Sequence, residues 1–598
     1  MPLEYEYNPI WLEIKKFLSI RSATTPRAFK RSYRIIYLSD ITGVPIPWMK
    51  EAYRNEPLIP LEQRVGEISI SENGLIAFGN DLDGNERWRI SIYDLNQKNL
   101  IHVAGDYTYI NNVGAWSIDG TKLGFTSNRR NGVDFDVYIY NIKGGVIGPI
   151  IEMEGTNNIA EWINDENMLI IHNNTNLDSD IYLLNIKSGK LKNLTKHEGE
   201  ARNISPKVLD EGRFLFLTNN DSEYMGIAIY DLGKNDWKFI YQTNRDVELI
   251  ELSPNKDKVA YVENVDGYSK LYIAKIDFTY IREMKTPSGV IGELSWGMMG
   301  LAYSISNPKI GNEIWIWHEG TGQTQMTNSP KFDIDMNKNV KPEVIRYESW
   351  DGMMIPALIY RPKNGKPPYP AVVTIHGGPE GQDRPTFQFL PQILVRLGYI
   401  VLSPNFRGSS GYGKSFIHLD DREKRLDSLK DIGALVDWAE KEGLLEKGRV
   451  AVTGASYGGY ATLMSMALFP DYWSCGVERV GIVNLVTFIR NTGPWRRKYR
   501  INEYGDPDKM YDIMIKLSPI SHIEKIKAPL MVIHGANDPR VPISEAEQLI
   551  EAMKKMGREV KYIRIVDEGH GIAKIINRVN TQFEIIKFIM EHTPIEKS

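Results

Sequence analysis

The sequence predicts a two-domain protein: a seven-bladed β-propeller over residues 23–328, then an α/β domain with a mostly parallel sheet over residues 329–598. Residues 1–22 are expected to form a short amphipathic helix that docks on the rest. Three observations carry this reading. A chain of 598 residues is too long for one hydrophobic core. Between residue 31 and about 325, an apolar alternation bounded by polar turns is written seven times. Beyond residue 330, buried-strand runs and helical stretches alternate instead.

In the first twenty residues, Glu4 and Glu6 stand where a secretory leader carries positive charge, and Glu13, Lys15 and Lys16 interrupt the apolar run. The spacing of Ile10, Trp11, Ile14 and Phe17 predicts a helix over 9–20. The repeats follow. "SENGLIAFGND", "SIDGTKLGFTSN", "LDEGRFLFLTNN" and "SPNKDKVAYVEN" share a polar turn, a period-two apolar run and a small polar residue. The apolar anchors Tyr37, Phe78, Phe125, Ile171, Leu217, Tyr261 and Tyr303 are spaced by 41 to 47 residues, the length of a four-stranded blade. No blade buries both faces alone, so seven of them are expected to close into a ring.

After the linker "NSPKFDIDMNKNVKPE", the segment "VIRYESWDGMMIPALIYRP" predicts a β-hairpin. The strands "AVVTI", "YIVLSP", "RVAVTGA", "LMVIHG" and "VKYIRIV" then alternate with helical stretches, so ligands should meet the carboxyl ends of a parallel sheet. "GASYG", Gly454 to Gly458, leaves one such strand and opens a helix. That context turns G-x-S-x-G into a sharp turn that lifts the Ser456 hydroxyl above the sheet. A serine hydroxyl needs a base to take its proton, and the base needs an acid to orient it. Downstream of Ser456 the histidines are His522, His534, His570 and His592. His570, in "VDEGHGI", lies on a glycine-flanked loop past a strand. His534 ends a strand and reads as structural, and His522 and His592 sit in helical surroundings. Asp538, in "HGANDPRVP", occupies the loop after the second-last strand, which the rivals Asp506 and Asp567 do not. The expected triad is Ser456, Asp538 and His570. Its oxyanion donors are the backbone N–H groups of Tyr457, after the nucleophile, and Gly378, in the loop "HGGP".

Composition narrows the classes. Seventy-two basic against 76 acidic residues leave −4, so no basic excess favours a nucleic-acid partner. Cys475 is the single cysteine, which excludes an intrachain disulfide and a cysteine-built metal site and suits a reducing cytoplasm. No apolar run is long enough to cross a bilayer. No metal or other cofactor is expected.

"GASYGGYAT", "HGGPEG", "NFRGSSGYG", "HGANDPRVP" and "DEGHG", set behind a propeller, resemble the prolyl oligopeptidase family of serine peptidases, in its acylaminoacyl branch. The likeness covers nearly the whole chain. It implies an α/β-hydrolase second domain with the N-terminal helix packed on it, and a propeller that admits only short peptides. It implies release of an N-acylated amino acid from short N-acylated peptides. His376 stands where proline-specific members carry a tyrosine, and no Glu-Glu pair occurs in the propeller region to hold a free amino terminus. By the same resemblance, the segment "GIVNLVTFI" contributes to the S1 pocket. Val483, Val486, Phe488 and Ile489 either line that pocket or fill the core. Arg540 and Val541 stand near the pocket mouth, where Arg540 either holds a substrate carbonyl or carboxylate or pairs with an acid.

One motif points elsewhere. "GSSGYGKS", Gly408 to Ser415, satisfies the phosphate-loop pattern G-x-x-x-x-G-K-[ST]. Pro404 and Asn405 end the preceding strand too early for that loop, and no strand ends in an aspartate placed for Mg²⁺, so Lys414 and Ser415 are expected to be loop residues. The remaining alternatives are a carboxylesterase or oligopeptide endopeptidase with the same triad and, from another class, a non-catalytic propeller scaffold. A homo-oligomer is compatible with the sequence.

Overall fold

The computed structural model describes residues 8–595; residues 1–7, Glu4 and Glu6 among them, lie outside the described residues. The first domain is a ring of seven four-stranded antiparallel sheets, each built from four consecutive strands. All seven sequence anchors fall on the second strand of their sheet, from Tyr37 in Arg34–Ser39 to Tyr303 in Gly300–Asn307. Six are buried and Ile171 is half-buried. Second and third strands read as continuous apolar runs because both of their faces meet neighbouring blades. Ile36 and Leu38 of the first blade, for example, pack with Ile68, Ile76 and Phe78 of the second. Outer strands such as Arg54–Pro57 are polar and exposed.

The ring closes without exchanging a strand. Ala23, Ile35 and Tyr37 of the first blade pack against Ala302, Ile314 and Ile316 of the last. The Ala28 N–H donates to Ser295 Oγ at 2.8 Å, and Arg27 pairs with Glu293. Side-chain packing, not a shared backbone ladder, holds this seam.

The second domain is one eight-stranded sheet. Its strands are β1 (Glu343–Glu348), β2 (Met354–Tyr360), β3 (Ala371–Ile375), β4 (Ile400–Pro404), β5 (Val450–Ala455), β6 (Trp473–Arg479), β7 (Leu530–Gly535) and β8 (Lys561–Ile565), in the spatial order β1-β2-β4-β3-β5-β6-β7-β8. The β1–β2 hairpin and the β2–β4 pairing are antiparallel, and every other pairing is parallel. The principal helices are α1 (Pro9–Leu18), α2 (Phe389–Leu397), α3 (Arg425–Lys441), α4 (Tyr457–Leu468), α5 (Leu485–Asn491), α6 (Pro494–Tyr504), α7 (Ser544–Lys555) and α8 (Ile575–His592). Alternate strand residues feed two cores. Val373, Val452 and Val532 meet α3, α4 and α7, while Val372, Ala451 and Met531 meet α1, α2 and α8.

Helix α1 starts where the Asn8 side chain accepts the Ile10 N–H at 2.9 Å. Trp11, Ile14 and Leu18 are buried in the core of the second domain, and Trp11 Nε1 donates to Asn580 of α8 at 3.0 Å. The helix stops two residues short of the expected end, and the Ser19 C-cap donates its N–H and its hydroxyl to the Lys15 carbonyl, the latter at 2.7 Å.

Candidate active site

The carboxyl ends of β5, β7 and β8 share one edge of the sheet. Strand β5 ends at Ala455 and α4 begins at Tyr457, so Ser456 alone forms the turn. Its φ of 59° and ψ of −121° are costly for a side-chain-bearing residue, and they hold the serine at the sheet edge. The flanking glycines are demanded by space. A Cβ on Gly458 would overlap the Ile375 carbonyl, and one on Gly454 would overlap the Gly458 carbonyl. The Ser456 N–H donates to the Arg479 carbonyl at 2.9 Å, tying the turn to β6.

Beyond β7, Asp538 has a fully buried side chain whose two oxygens have separate duties. Oδ1 accepts the N–H groups of Arg540 at 2.8 Å and Val541 at 3.0 Å, and Oδ2 accepts from His570 Nδ1 at 2.7 Å. His570 follows β8 on a loop clamped by Glu568, whose buried carboxylate accepts the Ala573 and Lys574 N–H groups at 2.9 Å and the Asn577 side chain at 2.9 Å. Sequence reasoning missed Glu568; an acid two residues before the histidine of "DEGHG" was the available signal. Among the described residues, no hydrogen bond joins His570 to Ser456. Such bonds commonly form only once substrate is bound.

The rival histidines and Asp567 have other partners. His534 is buried, with Nε2 at 2.9 Å from the Val541 carbonyl, so it braces the Asp538 loop; burial depresses its pKa. His522 bonds the Lys516 carbonyl, and His592 packs on Phe588. Asp567 pairs with Lys574 at 2.8 Å.

Gly378 has φ 137°, a conformation open to glycine, and a Cβ there would meet the Glu380 and Gly381 nitrogens. Neighbouring Gly377 lies against Ser456, since a Cβ on it would be 3.5 Å from that of the serine. The Tyr457 N–H opens α4 beside the nucleophile and has no intrahelical acceptor. His376 is engaged elsewhere: half-buried and stacked on Phe406 at 4.4 Å, it has Nε2 at 2.9 Å from Ser409 Oγ. Burial lowers its pKa to about 4, so it is neutral at pH 7.

Beneath the turn, fully buried Arg425 pairs with Asp420 at 3.2 Å and Glu503 at 2.6 Å and lies over the Tyr457 and Tyr504 rings at 5.2 and 4.5 Å. Burial pushes both carboxyl groups upward, to about 7 for Asp420. Asp420, Asp421 and Glu503 bring oxygens within 4.8 Å of one another, yet the Arg425 guanidinium already supplies the positive charge between two of them. Tyr504 also reaches the active-site loop, its hydroxyl 3.4 Å from the Gly378 carbonyl.

For the segment that the resemblance assigns to S1, burial favours the core alternative. Val483, Val486, Phe488 and Ile489 are 0 to 3% exposed and belong to the core under the site. The short helix α5 turns them inward, and Phe488 packs edge-on against Tyr504 at 5.6 Å. Val541 is likewise buried, and its backbone serves Asp538 and His534. Arg540 pairs with an acid, Glu86 of the propeller, at 2.8 and 3.0 Å. The same propeller turn sends Asp83 to Lys574 at 3.0 Å and lays Gly84 on the backbone of Gly569, beside His570. "DLDGNE" resembles every other propeller turn, so nothing in the sequence singled it out.

Residues 408–413 are loop, but Lys414 and Ser415, expected to be loop residues, open the short helix Lys414–Ile417, because the Glu223 side chain of the propeller takes up the free N–H at its start. Lys414 reaches the Glu200 carbonyl, and the Ser415 N–H and hydroxyl both bond Glu223 at 2.8 Å, so a propeller carboxylate stands where a nucleotide phosphate would. Arg407 bridges Asp431 and Asp351 at 2.9 and 3.0 Å, which gives "NFRG" a structural duty.

Residues 385–595 match the prolyl oligopeptidase family, and residues 82–300 match the TolB β-propeller domain. The second domain therefore belongs to the prolyl oligopeptidase family of serine peptidases, joined to a seven-bladed propeller as in its structural neighbours. The chain is 39% identical to dipeptidyl aminopeptidase BIII of Pseudoxanthomonas mexicana over 212 residues, 35% of this chain and 31% of that protein. It is 33% identical to dipeptidyl peptidase family member 6 of Caenorhabditis elegans over 434 residues, 66% of this chain and 58% of that protein. The acylamino-acid-releasing enzyme of Arabidopsis thaliana is 30% identical over 225 residues, 36% of this chain and 28% of that protein. The chain thus spans less than two thirds of each of these relatives. Pyrococcus horikoshii acylaminoacyl peptidase shares the fold, with a TM-score of 0.77 at 20% identity over 98% of both chains.

Proposed function

We propose that the chain releases an N-acylated amino acid from the amino terminus of short peptides through an acyl-enzyme on Ser456. The Asp538–His570 pair, at 2.7 Å on the same sheet edge as the Ser456 turn, carries the reading. His570 takes the serine proton as Oγ attacks the carbonyl of the acylated residue, and Asp538 keeps the imidazole in the required tautomer and steadies the imidazolium. The Gly378 and Tyr457 N–H groups receive the oxyanion. His570 then protonates the leaving amine, and water enters to hydrolyse the ester. Propeller contacts at Glu86, Asp83 and Gly84 crowd the His570 and Asp538 loops, in keeping with a site that admits short peptides. A reducing cytoplasm suits the lone Cys475, buried with its thiol pushed up to about 12.

The competing reading is removal of a dipeptide from a free amino terminus, favoured by the names of two relatives. It needs an unengaged acid for the ammonium group. Between the domains, a cavity of about 340 Å³ is lined by Glu200, Glu223, Asp246 and Glu248. Glu200 pairs with His418, Glu223 with Ser415, and Glu248 with Arg384, while Asp246 accepts the Met225 N–H. Rates on N-acetyl-alanine, alanyl-alanine and internal-peptide p-nitroanilides decide between them. We expect the acetylated substrate to be preferred, and Ser456→Ala to lower kcat by at least ~10³-fold. Preference for the free dipeptide, or near-full activity in that variant, refutes the proposal.

A further inference from the structure

Helix α6 reads PWRRKYRINEY and carries four cations, of which two face inward. Arg497 and Lys498 are exposed, and Arg497 donates to the Arg490 carbonyl at 2.7 Å. Arg496 and Arg500 sit one turn apart on another face, where like charges repel. Between them Tyr499 pins the helix to the propeller: its hydroxyl donates to the Asn173 carbonyl at 3.2 Å and accepts the Thr156 N–H at 3.1 Å.

Arg496 and Arg500 line a cavity of about 260 Å³ whose opposite wall is propeller, with Trp88, Phe135, Asn112 and Glu86. Glu86 is the one acid of that lining, and Arg540 Nε already donates to both of its carboxylate oxygens, at 2.8 and 3.0 Å. Among the described residues neither the Arg496 nor the Arg500 guanidinium has a hydrogen bond or ion pair, and Arg496 Nε is buried with no partner. Burial, helped by the charges of Arg500 and Arg540, depresses Arg496 to about 10. A desolvated cation is costly to fold around without an anion.

The cavity adjoins the candidate active site. Glu86 of its lining pairs with Arg540 on the Asp538 loop, and Arg500 lies one turn before Tyr504, whose hydroxyl is 3.4 Å from the Gly378 carbonyl. Two guanidinium forks one turn apart match the two oxygens of one carboxylate, and the aromatic wall suits an apolar residue beside it.

We propose that Arg496 and Arg500 form a carboxylate-binding subsite that takes a negatively charged group of the peptide substrate, its free C-terminus or an acidic side chain. The inference rests on the peptidase reading above and names a substrate class for it. Full-length Ser456→Ala protein should bind N-acetyl-Ala-Ala-Phe acid at least ~tenfold more tightly than the corresponding amide by titration calorimetry. N-acetyl-Ala-Ala-Asp amide separates the two sources: tight binding of this peptide assigns an acidic side chain, and tight binding of the free acid alone assigns the C-terminus. Adding Arg496→Gln and Arg500→Gln should bring the ratios near one, Arg→Lys should retain part of them, and salt should lower them in the parent protein. Equal binding of all three peptides, or a ratio that survives the double Gln change, overturns the subsite. Turnover of N-acetyl-alanine p-nitroanilide by the unmodified enzyme is read in parallel. No turnover with an intact binding ratio sinks the peptidase reading alone, and turnover with no ratio sinks the subsite alone.

Discussion

Changing Asp538 to asparagine should silence the enzyme while leaving the fold almost untouched. The new amide has one carbonyl oxygen, and the site already determines where it points. Oδ1 faces the Arg540 and Val541 N–H groups at 2.8 and 3.0 Å; turning the NH₂ toward them would leave two donors unmet, at about 1–3 kcal/mol each. The carbonyl therefore stays there, and the NH₂ takes the Oδ2 position, 2.7 Å from His570 Nδ1. That nitrogen must now accept, so the imidazole proton moves to Nε2, the atom needed to receive the serine proton. The resulting loss is ~10⁴ in kcat, or ~5.5 kcal/mol of barrier. The assay is kcat on N-acetyl-alanine p-nitroanilide, with thermal unfolding as the control. A loss below ~tenfold in a folded variant would mean that Asp538 does not orient the base.

Two further outcomes are expected. Arg425→Ala removes the cation between Asp420 and Glu503 and the support of the Tyr457 ring, so urea unfolding should record a loss of about 3–5 kcal/mol; stability within about 1 kcal/mol of the parent would refute this account of the cluster. His418 joins the domains through Asp421 at 2.8 Å and Glu200 at 2.7 Å, and these two acids raise its pKa to about 10. Because the folded state holds the proton more tightly, this contribution is full below the unfolded value near 6.5 and disappears as pH rises through about 10. Unfolding temperatures should fall across that window more steeply in the parent than in His418→Gln, and parallel curves would contradict it.

The repeat of polar turn and alternating run was legible because every blade solves the same burial problem locally, and the anchors landed on one strand of each sheet. That Ser456, Asp538 and His570 lie at one edge was legible because a parallel sheet delivers its strand ends there, so position along the chain reports position in space. Local signals ceased to help where partners come from the other domain. An apolar run such as Val483 to Ile489 reads the same whether it lines a pocket or fills a core, and the turn of α5 settled it. Arg540 and Arg496 are equally cationic in the sequence, but folding gave one a carboxylate from the propeller and left the other facing a cavity. Periodicity and turn chemistry act over a few residues and can be read in order along the chain. Pairing, burial and charge balance depend on which distant surfaces meet, and that information exists only once the propeller has closed over the sheet.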